Sequence, residues 1–159
     1  MKILMVCLGN ICRSPMAHGI MEKKIREQKL DWEVDSAGTS GWHDGQRPDA
    51  RAVKLSKVKG VDISDQISRK IRYEDIDNYD LILVMDASNY QHVMELSAQA
   101  GTKANIQLIM NFRYPNRNMA VPDPYYDDKF EEAFDLLDDA MDYVIKSLLK
   151  ENYYNKFVG

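Results

Sequence analysis

Four short apolar runs, at residues 2–6, 32–36, 81–85 and 106–110, alternate with longer stretches of helical period, and this alternation limits the chain more than any other feature. The runs at 2–6 and 81–85 are rich in Ile, Leu, Val and Met without alternating polar residues, which suits strands buried on both faces, as in a parallel sheet. The segments between them read as helices from 15 to about 28, from about 49 to 58, from 88 to 98 and from about 128 to 150. The last carries Phe130, Phe134, Leu137, Met141, Val144, Ile145 and Leu148 on one face. Strand, helix, strand in succession predicts an α/β fold with helices on both sides of one parallel sheet. The tail Tyr153-Tyr154-Asn155-Lys156-Phe157 reads as a frayed or docked terminus.

At 159 residues the chain has the size of one domain, spanning 1–159, and no repeat or linker divides it. Apolar residues make up 45% and charged residues 29%, the balance of a water-soluble protein. A formal charge of −4 argues against nucleic acid as a partner, because a nucleic-acid binder needs a basic face to neutralise phosphates. The apolar start at 3–8 is too short to span a membrane and lacks the flanks of a signal peptide, so the cytoplasm is the expected compartment and no membrane association is expected. The two cysteines, Cys7 and Cys12, form neither a disulfide framework nor a zinc ligand set, and both should be thiols. The acidic run Asp135, Asp138, Asp139 and Asp142 reads as a solvated helix face, and His18, His43 and His92 as surface or helix-packing residues. No metal or cofactor is expected.

Parallel sheets present their ligands at the carboxyl ends of the strands. The segments in that position are 7–14, 37–45, 86–89 and 111–127, the last a long loop with Pro115, Pro122 and Pro124 and no helical period. The first carries the strongest chemical signal. In Val6-Cys7-Leu8-Gly9-Asn10-Ile11-Cys12-Arg13-Ser14-Pro15 a buried strand enters a short loop and then a helix, with Ser14 suited to the N-cap and Pro15 to the first helical position. Such a loop aims backbone N–H groups and a helix dipole at one point, which makes an anion site of Leu8, Gly9, Asn10, Ile11, Cys12, Arg13 and Ser14. At its base a Cys7 thiolate would be stabilised by those donors and by Arg13, whose planar fork suits two phosphate oxygens. Gly9 is the residue expected to supply a positive φ, and Ser14 is close enough to donate to the sulfur.

Residues 7–14 resemble the active-site loop of the low-molecular-weight protein tyrosine phosphatase family. The blocks Asp35-Ser36-Ala37-Gly38-Thr39, Pro48-Asp49-Ala50-Arg51-Ala52, Met85-Asp86-Ala87-Ser88-Asn89 and Asp123-Pro124-Tyr125-Tyr126 are similar to that family's blocks in the same order. The resemblance implies a flavodoxin-like three-layer fold with four parallel strands in order 2-1-3-4. It implies hydrolysis of phosphotyrosine in proteins and of aryl phosphates through a phosphocysteine, with Cys7, Arg13 and Asp123 catalytic. Asp123 would protonate the leaving group and then activate water; its flanking prolines independently favour an extended, restrained backbone. The resemblance further implies that Asn10, Ser36 and Gln66 form a network supporting the loop, that Trp42, Tyr125 and Tyr126 wall the cleft, and that the partner is a tyrosine-phosphorylated protein met by a monomer or weak homodimer.

Two rival activities share this machinery. A protein-arginine phosphatase would use it on a phosphoramidate, a branch in which a smaller β-branched residue is expected where this chain has Ile11. A thiol-dependent arsenate reductase needs a relay of further cysteines, and none follows Cys12.

Overall fold

The computed structural model describes residues 1–102 and 104–158, with 152–158 described by backbone course alone, so the side chains of Tyr153 and Tyr154 lie outside the described residues. Four strands, β1 (Lys2–Cys7), β2 (Glu33–Gly38), β3 (Leu81–Val84) and β4 (Ile106–Leu108), form one parallel sheet in the order β2-β1-β3-β4. The fold is flavodoxin-like, as the resemblance implies.

The period of two along the strands divides their side chains between two apolar layers. Ile3, Met5 and Cys7 of β1, with Leu81 and Leu83 of β3, join the layer under helices α1 (Arg13–Glu27) and α6 (Phe130–Val158). Leu4 and Val6, with Ile82 and Val84, face the opposite layer under α3 (Tyr73–Asn78) and α4 (Ala87–Ala100). Both faces being covered explains why the central strands β1 and β3 read as apolar runs. Truncating any of the Leu, Ile or Met side chains among these to alanine would cost about 2–5 kcal/mol.

Most element boundaries fall within two or three residues of the expected ones, and three differences have physical causes. The fourth apolar run stops being a strand at Leu108 and turns into a 3₁₀ helix over Ile109–Phe112, where Ile109 and Met110 remain buried. The segment after it is not wholly structureless, since Pro124 opens the short helix α5 (Pro124–Asp127). Helix α3, six residues with Asp75 and Ile76 buried, offers too little period to be read from sequence.

The acidic face of α6 is paired rather than simply solvated. Lys24 reaches Asp138 and Asp142, Lys59 reaches Glu131 and Asp135, and Arg113 reaches Asp139, tying α6 to α1 and to the ends of α2 (Ala50–Val58) and the 3₁₀ turn. Among the described residues no group of His, Cys, Asp and Glu is placed to hold a metal ion. Nor is any described helix long and apolar enough to cross a membrane.

Candidate active site

β1 delivers Cys7 to the carboxyl edge of the sheet, in register with Gly38 of β2 and one residue past the Val6 and Val84 pair. The sulfur is buried at the bottom of the loop. The Asn10 backbone N–H donates to Sγ at 3.3 Å, and Ser14 Oγ shares a hydrogen bond with it at 3.1 Å. Helix α1 begins at Arg13 with Cys12 as its N-cap and no side-chain cap. Ser14 is therefore not the cap expected from sequence. Its hydroxyl turns to the sulfur, and the N-terminal N–H groups of the helix are left without a side-chain acceptor, the arrangement that suits an anion.

The left-handed residue of the loop is Asn10, with φ 56°, and not Gly9. Asparagine tolerates this region better than most side chains, and here its amide fixes it from three directions. Nδ2 donates to Ser14 Oγ at 2.7 Å and to Ser36 Oγ at 3.0 Å, while Oδ1 accepts from the Arg69 backbone N–H at 3.0 Å. Gly9 sits close to the His43 ring: a Cβ there would lie 3.1 Å from His43 Cδ2, so the ring would have to shift by a few tenths of an ångström. Asn10 and Ser14 are buried behind the loop and support it, whereas Leu8, Gly9, Ile11, Cys12 and Arg13 line the cavity.

Gln66 does not join this network. Its Nε2 donates to the Pro15 carbonyl at 3.0 Å, and its buried Oε1 has no protein partner. His18 stands next to Ser36 instead, with Nδ1 3.4 Å from Ser36 Oγ and Nε2 3.1 Å from Glu22. Burial pushes the His18 imidazole below its ordinary pKa, with the Glu22 and Asp35 carboxylates opposing that shift. Arg69, which orients the loop through its own N–H, is gripped by Asp35 and Asp75. Asp75 is six residues from Arg69, but Asp35 and Asn10, which tie it to the sheet and the loop, lie 34 and 59 residues away, so nothing in the local sequence marks its role.

Arg13 is buried, and its guanidinium is held from several sides. Nη1 donates to Asp86 Oδ2 at 2.8 Å and to the Val121 carbonyl at 3.0 Å, and Nη2 lies 3.5 Å from Asp123 Oδ2. Burial disfavours its charge, yet Cys7, Asp86 and Asp123 together outweigh that penalty and raise its pKa. Asp123 has the extended backbone its flanking prolines favour, φ −83° and ψ 107°, and its Oδ1 caps α5 by accepting from the Tyr125 N–H at 3.1 Å. Cys12 has the opposite environment to a reactive thiol: burial, then the Asp49 carboxylate, push its pKa far up.

These groups meet in a cavity of about 240 Å³ lined by Cys7, Leu8, Gly9, Ile11, Cys12, Arg13, Trp42, His43, Asp123, Tyr125 and Tyr126. Trp42 and Tyr126 stand exposed at its mouth, and Tyr125 packs edge-on against Tyr126 at 5.3 Å. His43 belongs to this wall rather than to a plain surface; its nearness to Trp42 in sequence was the available clue. The cysteine at the end of a parallel strand, the loop wound into a helix N-terminus, the buried arginine and the carboxylate across the cavity together form a site suited to an anion.

Residues 2–154 match the family described as low molecular weight phosphotyrosine protein phosphatase. A putative low molecular weight protein-tyrosine-phosphatase of Synechocystis is 39% identical over 95% of this chain and 98% of its own. The crystal structure of YfkJ from Bacillus subtilis superposes with a TM-score of 0.88 at 32% identity, covering 95% of this chain and 96% of that one. That of drosophila arginine phosphatase superposes with a TM-score of 0.88 at 30% identity, covering 93% and 98%. The chain belongs to the low molecular weight phosphotyrosine protein phosphatase family.

Proposed function

We propose that the chain hydrolyses phosphotyrosine in proteins, and aryl phosphate monoesters generally, through a phosphocysteine on Cys7 and without a metal. The observation that carries this reading is the convergence on one cavity of the Cys7 sulfur, the Arg13 guanidinium and the Asp123 carboxylate. In the first step the Cys7 thiolate attacks phosphorus, the P–O bond to the leaving group breaks, and Asp123 gives that oxygen its proton. In the second, the Asp123 carboxylate takes a proton from water as the water oxygen attacks phosphorus, and the S–P bond breaks to return the thiolate. Ser14 Oγ, 3.1 Å from the sulfur, is placed to stabilise the thiolate as it leaves.

The walls Trp42, Tyr125 and Tyr126 suit a flat phenyl ring. The likeness to an arginine phosphatase keeps a phosphoarginine activity as the second reading; the bulk of Ile11 in the cavity wall favours tyrosine over it. The reading belongs in a reducing cytoplasm, where Cys7 stays a thiol, and in a monomer or weak homodimer facing a phosphorylated protein. Turnover of phosphotyrosine, phosphoarginine and phosphoserine peptides in the presence of a chelator tests it. Preference for phosphotyrosine is expected; preference for phosphoarginine, or activity only after metal is restored, overturns it.

A further inference from the structure

The block at residues 48–52 has no part in the chemistry above, yet Arg51 sits between the phosphate loop and the segment that follows Asp123. On one side it grips Asp49, the N-cap of α2, with Nε at 3.1 Å from Oδ1 and Nη2 at 3.0 Å from Oδ2. Asp49 is itself fixed to the loop, since its backbone N–H donates to the Ile11 carbonyl at 2.8 Å. On the other side Arg51 Nη1 donates to Asp128 Oδ1 at 3.0 Å and Nη2 to the Tyr125 carbonyl at 3.4 Å. The guanidinium also faces the Phe130 ring at 4.7 Å and the Tyr125 ring at 5.6 Å.

We propose that Arg51 is a positioning residue that holds the Asp123 carboxylate over the phosphate loop. An exposed ion pair by itself contributes little. Here the carboxylate grip is bidentate, two ring faces share the cation, and both ends of the bridge are anchored in backbone hydrogen bonds. The segment carrying Asp123 is pinned upstream by the Val121 N–H on the Met85 carbonyl and by Arg13 on the Val121 carbonyl. Downstream, Arg51 supplies the bridge to the loop. Asp123 Oδ1 is bonded to the N–H of Tyr125, the residue whose carbonyl Arg51 holds, so a shift at that carbonyl reaches the acid directly.

This inference rests on Asp123 being the general acid, and one set of variants separates the two. The measurement is kcat/KM for phenyl phosphate, a poor leaving group, and 4-nitrophenyl phosphate, a good one, together with vanadate affinity and thermal unfolding. Arg51→Ala is expected to lose roughly 10-fold to 100-fold more on phenyl phosphate than on the nitrophenyl ester. Vanadate affinity should be unchanged. Arg51→Lys, which keeps the charge without the fork, should fall between Arg51→Ala and the native protein. In an Asp123→Asn background, Arg51→Ala should add no further leaving-group dependence. Equal loss on both esters, or a lowered melting temperature alone, while Asp123→Asn still steepens the dependence, would make Arg51 merely structural. If Asp123→Asn itself leaves the dependence flat, the acid assignment falls and the positioning role with it.

Discussion

The Arg13 guanidinium and the Asp86 carboxylate are joined at 2.8 Å across the carboxyl ends of β1 and β3, so the side chain that faces the cavity is held from behind by the next strand's loop. The two oxygens of Asp86 have different duties. Oδ2 takes Arg13, and Oδ1 caps α4 by accepting from the Asn89 N–H at 2.8 Å. Asp86→Asn keeps a cap but loses the charged partner of Arg13, and kcat/KM should fall by roughly 10-fold from misalignment. Asp86→Ala loses the cap as well, at a further cost of about 1 kcal/mol in urea unfolding. Native kcat/KM in Asp86→Asn would mean that a neutral acceptor, with the Val121 carbonyl and Asp123, suffices to aim Arg13.

Asn10 is the keystone of the loop and Gln66 is outside it, a difference that mutation reads directly. Asn10→Ala leaves a residue in the left-handed region without its three side-chain hydrogen bonds. It should lose about 1–3 kcal/mol of stability and most of its turnover. Gln66→Ala should keep its kcat/KM toward aryl phosphates. A large catalytic loss in Gln66→Ala would restore the residue to the supporting network.

His18 provides a pH signature. Burial, against the pull of Glu22 and Asp35, holds its pKa below the ordinary value of 6.5, so the fold favours the neutral ring. The resulting stability is fully present above the unfolded value and declines as pH falls below it, because the unfolded chain takes up the proton first. Urea midpoints measured between about pH 7.5 and about pH 5.5 should therefore fall less steeply in His18→Gln than in the native protein. Identical slopes would show that Glu22 compensates the ring on protonation.

The sheet was readable because strands covered on both faces leave an unbroken apolar record, and β1 and β3 are such strands. The chemistry of the loop was readable from Cys7, Arg13 and Ser14 because they lie within one short turn. What escaped the sequence depends on distance or on backbone torsion. Asn10 rather than Gly9 takes the positive φ, held by the bonds of its amide to Ser14, Ser36 and the Arg69 backbone N–H. His18 lies on the helix that follows the loop and Gln66 far along the chain, and only their packed positions show that His18, not Gln66, faces Ser36. Arg51 was visible only as part of a block, because its task is to join two loops more than 70 residues apart.

Hydrolysis through Cys7 requires a covalent bond between its sulfur and phosphorus. Rapid acid quench of the Asp123→Asn protein with 4-nitrophenyl phosphate, followed by phosphorus NMR and mass spectrometry of the peptide containing Cys7, tests it most directly. That variant can expel the activated leaving group unaided but lacks the base for the second step, so phosphoenzyme should accumulate with a burst of nitrophenolate. A thiophosphate signal on the Cys7 peptide, absent from Cys7→Ser although that variant still binds vanadate, is the predicted result. Turnover by Cys7→Ser, or a native reaction with no phosphorus ever attached to the chain, would contradict it.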